Sequence, residues 1–157
     1  MLTESQQSFL ANAAVAARSA GHIFPDMAAC EAALESTWGT SELSVKGHNL
    51  FGQKQAIHPS IPGTIHIPTK EFIDHAWKTV DAAWVVFESE QQCFASRMDT
   101  LRRLAPTYPH YAIALAAKDA VTYVSEVSLS WSTDPDRAKK CVSIYRSHQD
   151  ILRAALK

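Results

Sequence analysis

The sequence changes its hydrophobic period twice along its length, and this change constrains the fold more than any other feature. Before residue 53 and after residue 88, apolar side chains recur at intervals of three and four, as on one face of an α-helix. Residues 65–73 instead alternate two sets of side chains, as in a β-strand. The pattern predicts an α+β fold that is mainly α, in which a small β lobe interrupts the helices.

Two helices are predicted before the β lobe. Thr3 and Gln6 have the spacing of a capping box, and the helix that they open runs to the residue before Gly21. Pro25 opens the second helix, and Gly39 is its natural C-terminal stop. The expected core stripe of that helix is Met27, Cys30, Leu34 and Trp38.

The predicted β lobe occupies residues 53–87. Pro59, Pro62 and Gly63 mark the loop that leads into it, and a polar turn at Asp74 and His75 divides its strands. Turn residues between two alternating segments are typical of a β-hairpin. A small β hairpin or lobe is therefore expected to be inserted between the helices.

Helical spacing returns after the lobe. Ser89 and Gln92 form a second capping box, and Pro106 stops the helix that they open. Pro109 opens another helix, and residues 133–135 (TDP) open the last one. The stripe of the last helix is expected to run without a break to the end of the chain, through Ala138, Cys141, Ile144, Tyr145, His148, Ile151 and Leu152.

Length and composition fit one globular domain covering residues 1–157. The chain is 46% hydrophobic and 20% charged, with a formal net charge of −1, so it lacks the basic surplus of a nucleic-acid-binding protein. No stretch reaches the roughly 18 uninterrupted apolar residues that a membrane span needs. Residues 1–21 lack the basic start of a signal peptide. We expect a monomer without nucleic-acid partner or stable membrane insertion.

The cysteines and histidines give no catalytic or metal-binding pattern. Cys30, Cys93 and Cys141 are an odd number without CxxC spacing and are expected to be buried thiols in a reducing compartment. The seven histidines form neither an HxxxH nor an HExxH pair, so we expect no metal and no cofactor. The chain also lacks a GxSxG elbow and a glycine-rich phosphate loop.

Glu35 is the first candidate for a catalytic group. It lies in the last predicted turn of a helix that is otherwise apolar, where the helix dipole disfavours a negative charge. If apolar neighbours also exclude water, both effects would raise the pKa toward that of a general acid. The alternative is that Glu31 and Glu35, four residues apart, form a solvated polar stripe.

Two adjacent motifs resemble a known family. Residues 33–43 (ALESTWGTSEL) and residues 49–54 (NLFGQK) are together similar to the signature of the glucosaminidase family, glycoside hydrolase family 73. This family includes autolysins, phage lysins and flagellar rod peptidoglycan hydrolases. Further similar segments extend the resemblance from about residue 28 to residue 150, at residues 69–71 (TKE), 84–89 (WVVFES), 109–112 (PHYA) and 132–135 (STDP).

The resemblance implies a lysozyme-like helical domain with a β lobe across a cleft. It also implies that Glu35, in the Glu-Ser-x-Trp-Gly run, is the catalytic acid, and that Glu71, in Thr-x-Glu, is the second carboxylate. Glycoside hydrolysis generally uses two such groups, although the substrate's own N-acetyl group is an alternative to the second. An exposed hairpin position is the other interpretation of Glu71. The substrate-binding candidates are Trp131, Tyr111, Phe51, Asn49 and Trp38.

Two positions depart from the family pattern. Trp131 replaces the Tyr that precedes Ala-Thr-Asp-Pro, and Val85 replaces the Arg of Phe-Arg-x-Tyr. An indole can stack on a sugar but cannot reproduce the hydrogen bonding of a phenol. We therefore expect Trp131 to bind substrate rather than to take part in the chemistry. Tyr111 either binds substrate or packs between helices, and Asn49 and Phe51 are expected to shape the cleft.

The resemblance thus implies an endo-β-N-acetylglucosaminidase that acts on bacterial peptidoglycan. Its expected target is the β-1,4 bond between N-acetylglucosamine and N-acetylmuramic acid, and its expected setting is a phage or prophage endolysin held in the host cytoplasm until released to the wall. A delivered toxin is the alternative setting. Alternative functions are a muramidase or lytic transglycosylase on the same substrate, or a noncatalytic wall-binding module.

Overall fold

The structure is a computed structural model that describes residues 1–57 and 63–157, apart from the side chains of residues 57, 71 and 72. Pro59 and Pro62, predicted to lead into the β lobe, lie outside the described residues. Within this part of the chain the helices are α1 (Glu4–Ser19), α2 (Pro25–Glu35), α3 (Glu42–Gly47), α4 (Glu90–Leu104), α5 (Pro109–Leu115), α6 (Ala120–Trp131), α7 (Arg137–Ser147) and α8 (Gln149–Ala155). The strands are β1 (Thr64–His66), β2 (Thr69–Ile73), β3 (Ala76–Val80) and β4 (Ala83–Val85).

The mainly helical fold with an inserted β lobe is confirmed. Helix α1 begins at the predicted capping box, where Thr3 Oγ1 accepts from the Gln6 amide and Gln6 Oε1 accepts from the Thr3 amide. Gly21, with φ of +75°, follows the end of this helix as expected. Pro25 is the first residue of α2, as predicted.

Helix α2 ends three residues earlier than its apolar stripe suggested. Thr37 and Trp38 take positive φ angles of 52° and 57°, which are incompatible with a continuing α-helix. The Ser36 hydroxyl donates to the Ala32 carbonyl at 2.6 Å and accepts from the Gly39 amide at 2.8 Å, so it closes the turn. The last residue of the helix is therefore Glu35 itself, and the prediction that the stripe continues to Trp38 was wrong.

In the described residues, the predicted β hairpin or lobe is a lobe of two antiparallel strand pairs. Strands β1 and β4 pair with Ile65 opposite Trp84, whereas β2 and β3 pair with Glu71 opposite Lys78. The predicted turn at Asp74 and His75 is confirmed, since both residues have positive φ as in a two-residue hairpin loop. The apparently continuous alternation over residues 65–73 spans two strands that are separated by residues 67–68.

The C-terminal half contains more breaks than predicted. Ser89 caps α4 as expected, but Gln92 Oε1 accepts from the Glu88 amide, so the capping box is not reciprocal. Asp119 opens α6, and His148 divides the predicted last helix into α7 and α8. The short helix α3 was also absent from the sequence prediction, because six residues carry too little periodicity to reveal it.

Helix α2 is the centre of the core. Every residue from Met27 to Ala33 is buried, because α1, α6 and α7 all pack against it. Cys30, Cys93 and Cys141 are buried and form no disulfide, which confirms the prediction of buried thiols. None of the described helices is long and apolar enough to cross a membrane. A helix buried all round places any charged residue in its middle, such as Glu31, deep inside the domain.

Replacing Gly39 with alanine should destabilise the domain more than replacing Gly21 with alanine. Both glycines have positive φ, +77° and +75°, so each substitution adds strain of about 1–2 kcal/mol. A Cβ at Gly39 would also lie 2.6 Å from the Phe9 ring, whereas a Cβ at Gly21 would have no described atom within 4 Å apart from those of Gly21 and its two chain neighbours. We expect Gly39→Ala to lose about 1–3 kcal/mol more in urea unfolding. Equal losses would mean that Phe9 moves aside freely.

Candidate active site

A cleft of about 420 Å³ opens where the end of α2 meets α4, α6 and the β lobe. One wall carries aromatic and apolar side chains, and the other elements contribute hydroxyl, cationic and acidic groups. A cleft of this composition is typical of a site that binds one segment of an extended ligand. Its described lining is Glu35, Phe51, Gly52, Lys54, Trp84, Thr100, Leu104, Tyr108, Tyr111, Ser130, Trp131 and Ser132.

Glu35 brings a carboxylate to this cleft. Because it is the last residue of α2, its side chain leaves the helix where the chain turns away, and 25% of that side chain remains exposed. Its Oε1 accepts a hydrogen bond of 2.6 Å from Arg137 Nε. The surroundings of Glu35 are thus part apolar and part cationic, instead of the purely apolar pocket considered from the sequence.

Glu31, one helical turn before Glu35, is completely buried. Its Oε2 accepts from Arg97 Nη2 at 2.8 Å and from Arg137 Nη2 at 2.7 Å. Burial alone would raise the pKa of Glu31, but the two arginines outweigh that effect and hold the pKa at about 2. The alternative of a solvated Glu31 and Glu35 stripe is therefore wrong, since the two carboxylates belong to a buried charge cluster.

Arg97 supports the aromatic wall of the cleft from beneath. Its guanidinium carbon lies 3.8 Å from the centre of the Trp131 ring and 4.4 Å from that of Phe51, and its side chain is fully buried. Among the described residues, Arg97 Nε and Nη1 find no hydrogen-bond partner. The aromatic faces compensate in part for those missing bonds by cation–π attraction. Trp131 and Phe51 are thereby held at fixed positions in the lining.

Tyr108 and Tyr111 continue the aromatic surface. The Tyr111 ring lies 5.4 Å from Tyr108 and 6.4 Å from Trp131, measured between ring centres. Tyr108 directly precedes α5 and Tyr111 lies in its first turn. Pro109, at the first position of this helix, fixes the backbone between them. Burial raises the pKa of the Tyr111 phenol, so this group stays protonated at neutral pH and can donate a hydrogen bond. Tyr111 both packs in the core and lines the cleft.

The structure brings four predicted site residues together: Glu35, Phe51, Tyr111 and Trp131. Trp38 and Asn49 do not reach the described cleft lining. The Trp38 ring meets His148 edge-on at 6.5 Å. Asn49 is buried, donates to the carbonyls of Gln53 and Val85, and accepts from the Gln53 amide, so it fastens the loop to β4.

Glu71 lies in the middle of β2, as the alternating pattern predicted, and faces Lys78 across the strand pair. Its side chain is outside the described part of the structure. The backbone leading to it is tied to the cleft wall, because Trp84 Nε1 donates to the Ile67 carbonyl at 2.9 Å and the Trp84 ring lines the cleft. Its catalytic role stays a prediction.

Sequence reasoning missed the two arginines. Arg97 lies three residues after Phe94 and four before Leu101, and Arg137 lies four before Cys141, so both share a face with core residues. That spacing could have marked them as buried charges in need of partners.

For a metal, the described residues offer no group of three or more His, Cys, Asp or Glu side chains close enough to bind one ion.

The sequence profile of one protein family matches residues 11–150. Its description is glucosaminidase, mannosyl-glycoprotein endo-β-N-acetylglucosaminidase. The chain belongs to the glucosaminidase family. This glycoside hydrolase domain also has a lysozyme-like fold. It superposes on the catalytic domain of the autolysin Auto from Listeria monocytogenes with a TM-score of 0.79 at 22% identity, over 98% of this chain and 89% of that one.

Two further relatives are informative about this glucosaminidase domain. The glycoside hydrolase domain of FlgJ from Salmonella typhimurium superposes with a TM-score of 0.70 at 27% identity, over 92% of this chain and 98% of that one. A probable N-acetylmuramidase of Lactococcus lactis subsp. cremoris is 30% identical over 141 residues, which cover 85% of this chain. The match covers 31% of that relative, so this chain spans about a third of its length.

Acid should destabilise the domain over two pH ranges. Burial lowers the pKa of His22 from 6.5 to about 4, so only the unfolded chain gains this proton as pH falls across that range. The pKa of Glu31 is about 2 in the fold against an ordinary 4.5, so its stabilisation is complete above pH 4.5 and disappears toward pH 2. The second contribution is about 3 kcal/mol. Urea unfolding at a series of pH values measures both.

Glu31→Gln separates the two ranges. The variant should be less stable at pH 7 by about 3–5 kcal/mol, because the two arginines lose the carboxylate that they share. It should retain the His22 loss above pH 4.5 and lack the Glu31 part of the loss below it. Glu42→Gln, at an exposed residue of α3, is the matched control and should keep both. An identical pH slope below 4.5 in wild type and Glu31→Gln would contradict this assignment.

Proposed function

We propose that this glucosaminidase domain hydrolyses the β-1,4 bond between N-acetylglucosamine and N-acetylmuramic acid in bacterial peptidoglycan. The observation that carries the proposal is the position of Glu35. Of the described residues that line the cleft, it alone has a carboxyl group, and aromatic rings suited to sugar stacking stand beside it. The similarity to an autolysin from Listeria monocytogenes and to a probable N-acetylmuramidase of Lactococcus lactis favours a wall glycan as substrate.

Glu35 would act as the general acid. As the bond between the sugar C1 and the glycosidic oxygen breaks, the Glu35 proton passes to that oxygen; a water molecule then adds to C1 and gives up one proton to a carboxylate. Trp131 and Tyr111 would hold the sugar rings by stacking and by the Tyr111 hydroxyl. The Lys54 ammonium, 5.7 Å from the Trp84 ring centre, adds positive charge at the β-lobe end of the cleft.

Glu71 is our candidate for the second carboxylate. Its strand follows β1 after two residues, and the base of that connection is fixed to the cleft wall through Trp84 and Ile67. A carboxylate on this hairpin would activate the attacking water or stabilise the oxocarbenium-like transition state. The competing route uses the substrate's own N-acetyl oxygen and needs no protein nucleophile.

The relatives give two different names for the bond that is cut. The family description is an endo-β-N-acetylglucosaminidase, whereas the lactococcal relative is a probable N-acetylmuramidase. The second name makes muramidase activity the alternative function. We favour the first because the motif at residues 33–43 resembles the glucosaminidase signature. The endolysin setting stays a prediction from the sequence.

Glu35→Gln should lower the rate of wall lysis by at least about a hundredfold, because glutamine cannot donate the proton that the leaving oxygen needs. The fold should persist, since Arg137 keeps its bonds to Glu31 and Ser128. Turbidity of purified cell walls measures lysis, and far-UV circular dichroism checks the fold. Glu42→Gln is the matched control at an exposed glutamate and should lyse walls like wild type. Lysis near the wild-type rate by Glu35→Gln would reject the assignment.

The products should identify the bond. Hydrolysis after N-acetylglucosamine leaves a reducing N-acetylglucosamine end, which borohydride converts to its alditol. A muramidase leaves a muramic acid end instead, and a lytic transglycosylase leaves a 1,6-anhydro end that borohydride does not reduce. Mass spectrometry of reduced wall digests distinguishes the three. We expect predominantly N-acetylglucosaminitol ends, and a majority of muramitol or anhydro ends would overturn the glucosaminidase specificity.

A further inference from the structure

The Arg137 guanidinium is held on all three of its nitrogens. Nε donates to Glu35 Oε1 at 2.6 Å, Nη1 to Ser128 Oγ at 2.9 Å and Nη2 to Glu31 Oε2 at 2.7 Å. The partners lie on α2 and α6, and only 1% of the Arg137 side chain is exposed. A planar group fixed at three corners cannot rotate. The direction of its Nε–H is therefore set by Glu31 and Ser128.

This arrangement decides which oxygen of Glu35 is available for chemistry. The Nε–H of arginine donates and cannot accept a hydrogen bond. When Glu35 is protonated, this contact favours the proton on Oε2, because Oε1 accepts from Arg137 most strongly as a carbonyl oxygen. Within the described part of the chain, Oε2 has no hydrogen-bond partner. The carboxyl group is thus oriented by one oxygen and free to donate through the other.

We propose that Arg137 is a positioning residue that fixes Glu35 through Oε1 and leaves Oε2 to deliver the proton to the substrate. This inference rests on the proposed role of Glu35 as general acid. Glu31 and Ser128 contribute indirectly to the position of Glu35, because they hold the Arg137 guanidinium. Two buried charged side chains, Arg137 on α7 and Glu31 on α2, thus act together to orient Glu35.

The first variant to test is Arg137→Lys, which keeps the positive charge but replaces the three donor nitrogens of the guanidinium with a single nitrogen. A lysine can reach Glu31 or Glu35 but cannot orient both. Ser128→Ala is a milder change, since it removes one corner and leaves every charge in place. Ser125→Ala is the matched control on the same helix, because the Ser125 hydroxyl donates only to the Val121 carbonyl among the described residues.

Steady-state release of reducing ends from soluble wall-glycan fragments should separate kcat from KM. We expect Arg137→Lys to lower kcat at least about tenfold and Ser128→Ala about threefold, with KM within about twofold of wild type. In the Glu35→Gln background neither change should lower the residual rate further, because the positioned group is gone. Ser125→Ala should match the parent in both backgrounds.

The outcomes distinguish this inference from the function on which it rests. If Glu35→Gln retains wild-type turnover, both the general acid and its positioning are rejected. If Glu35→Gln is inactive but Arg137→Lys and Ser128→Ala turn over normally, only the positioning role is rejected. A further loss of the same size in the Glu35→Gln background also rejects it, because Arg137 would then act independently of Glu35.

A measurement without substrate tests the contact itself. In a ¹⁵N correlation spectrum, a buried Arg137 Nε–H bound to a carboxylate should give a slowly exchanging resonance. Glu35→Gln should shift this resonance and speed its exchange, Ser128→Ala should speed its exchange, and Ser125→Ala should leave it unchanged. A resonance unaffected by Glu35→Gln would show that the contact is absent and would overturn the proposal whatever the activity.

Discussion

One carboxylate oxygen, Oε2 of Glu31, receives hydrogen bonds from two buried guanidinium groups, and the site depends on that shared contact. Charged groups lose several kcal/mol of solvation when they are buried, and attraction between them only offsets this loss when the geometry is good. With Glu35 included, the cluster joins two carboxyl groups to two guanidinium groups. The cluster fixes the relative positions of α2, α4 and α7, from which these side chains come.

The two arginines connect Glu31 to different parts of the cleft. Arg97 lies against Trp131 and Phe51 and thus supports the surface on which a sugar would stack. Arg137 holds Glu35. The aromatic surface and Glu35 therefore depend on the same buried carboxylate, so a disturbance at Glu31 would reach both. Preorganised sites need such support, because catalytic groups on mobile side chains lose much of their effect.

The parts of the fold that depend on neighbouring residues were predictable from the sequence. The capping box at Thr3, the first helical turn at Pro25 and the turn at Asp74 and His75 are all local features, and all are confirmed. The end of α2 was placed too late because the Ser36 hydroxyl supports positive φ at the residues after it, a feature that apolar periodicity does not report.

The candidate site was likewise predictable where the signal is local in the sequence and not where it depends on distant residues. Motif resemblance was enough to predict Glu35 and Trp131, which the structure places in one cleft. Arg97 and Arg137 were missed because a charge on an apolar helix face is informative only when its partner is known. Their shared partner, Glu31, lies 66 residues from Arg97 and 106 residues from Arg137 in the sequence. Trp38 was taken from the motif and instead meets His148, between α7 and α8, because α2 ends before it reaches Trp38.

The interval between Glu31 and Glu35 also limits how this part of the chain can change in length. Four residues rise about 6 Å along a helix and return almost to the same face, which is what allows one guanidinium to reach both carboxylates. Each residue inserted or removed between them would rotate one carboxylate by about 100° relative to the other. Insertions and deletions in residues 32–34 should therefore be excluded in functional homologues, even where the sequence there varies freely among small apolar residues.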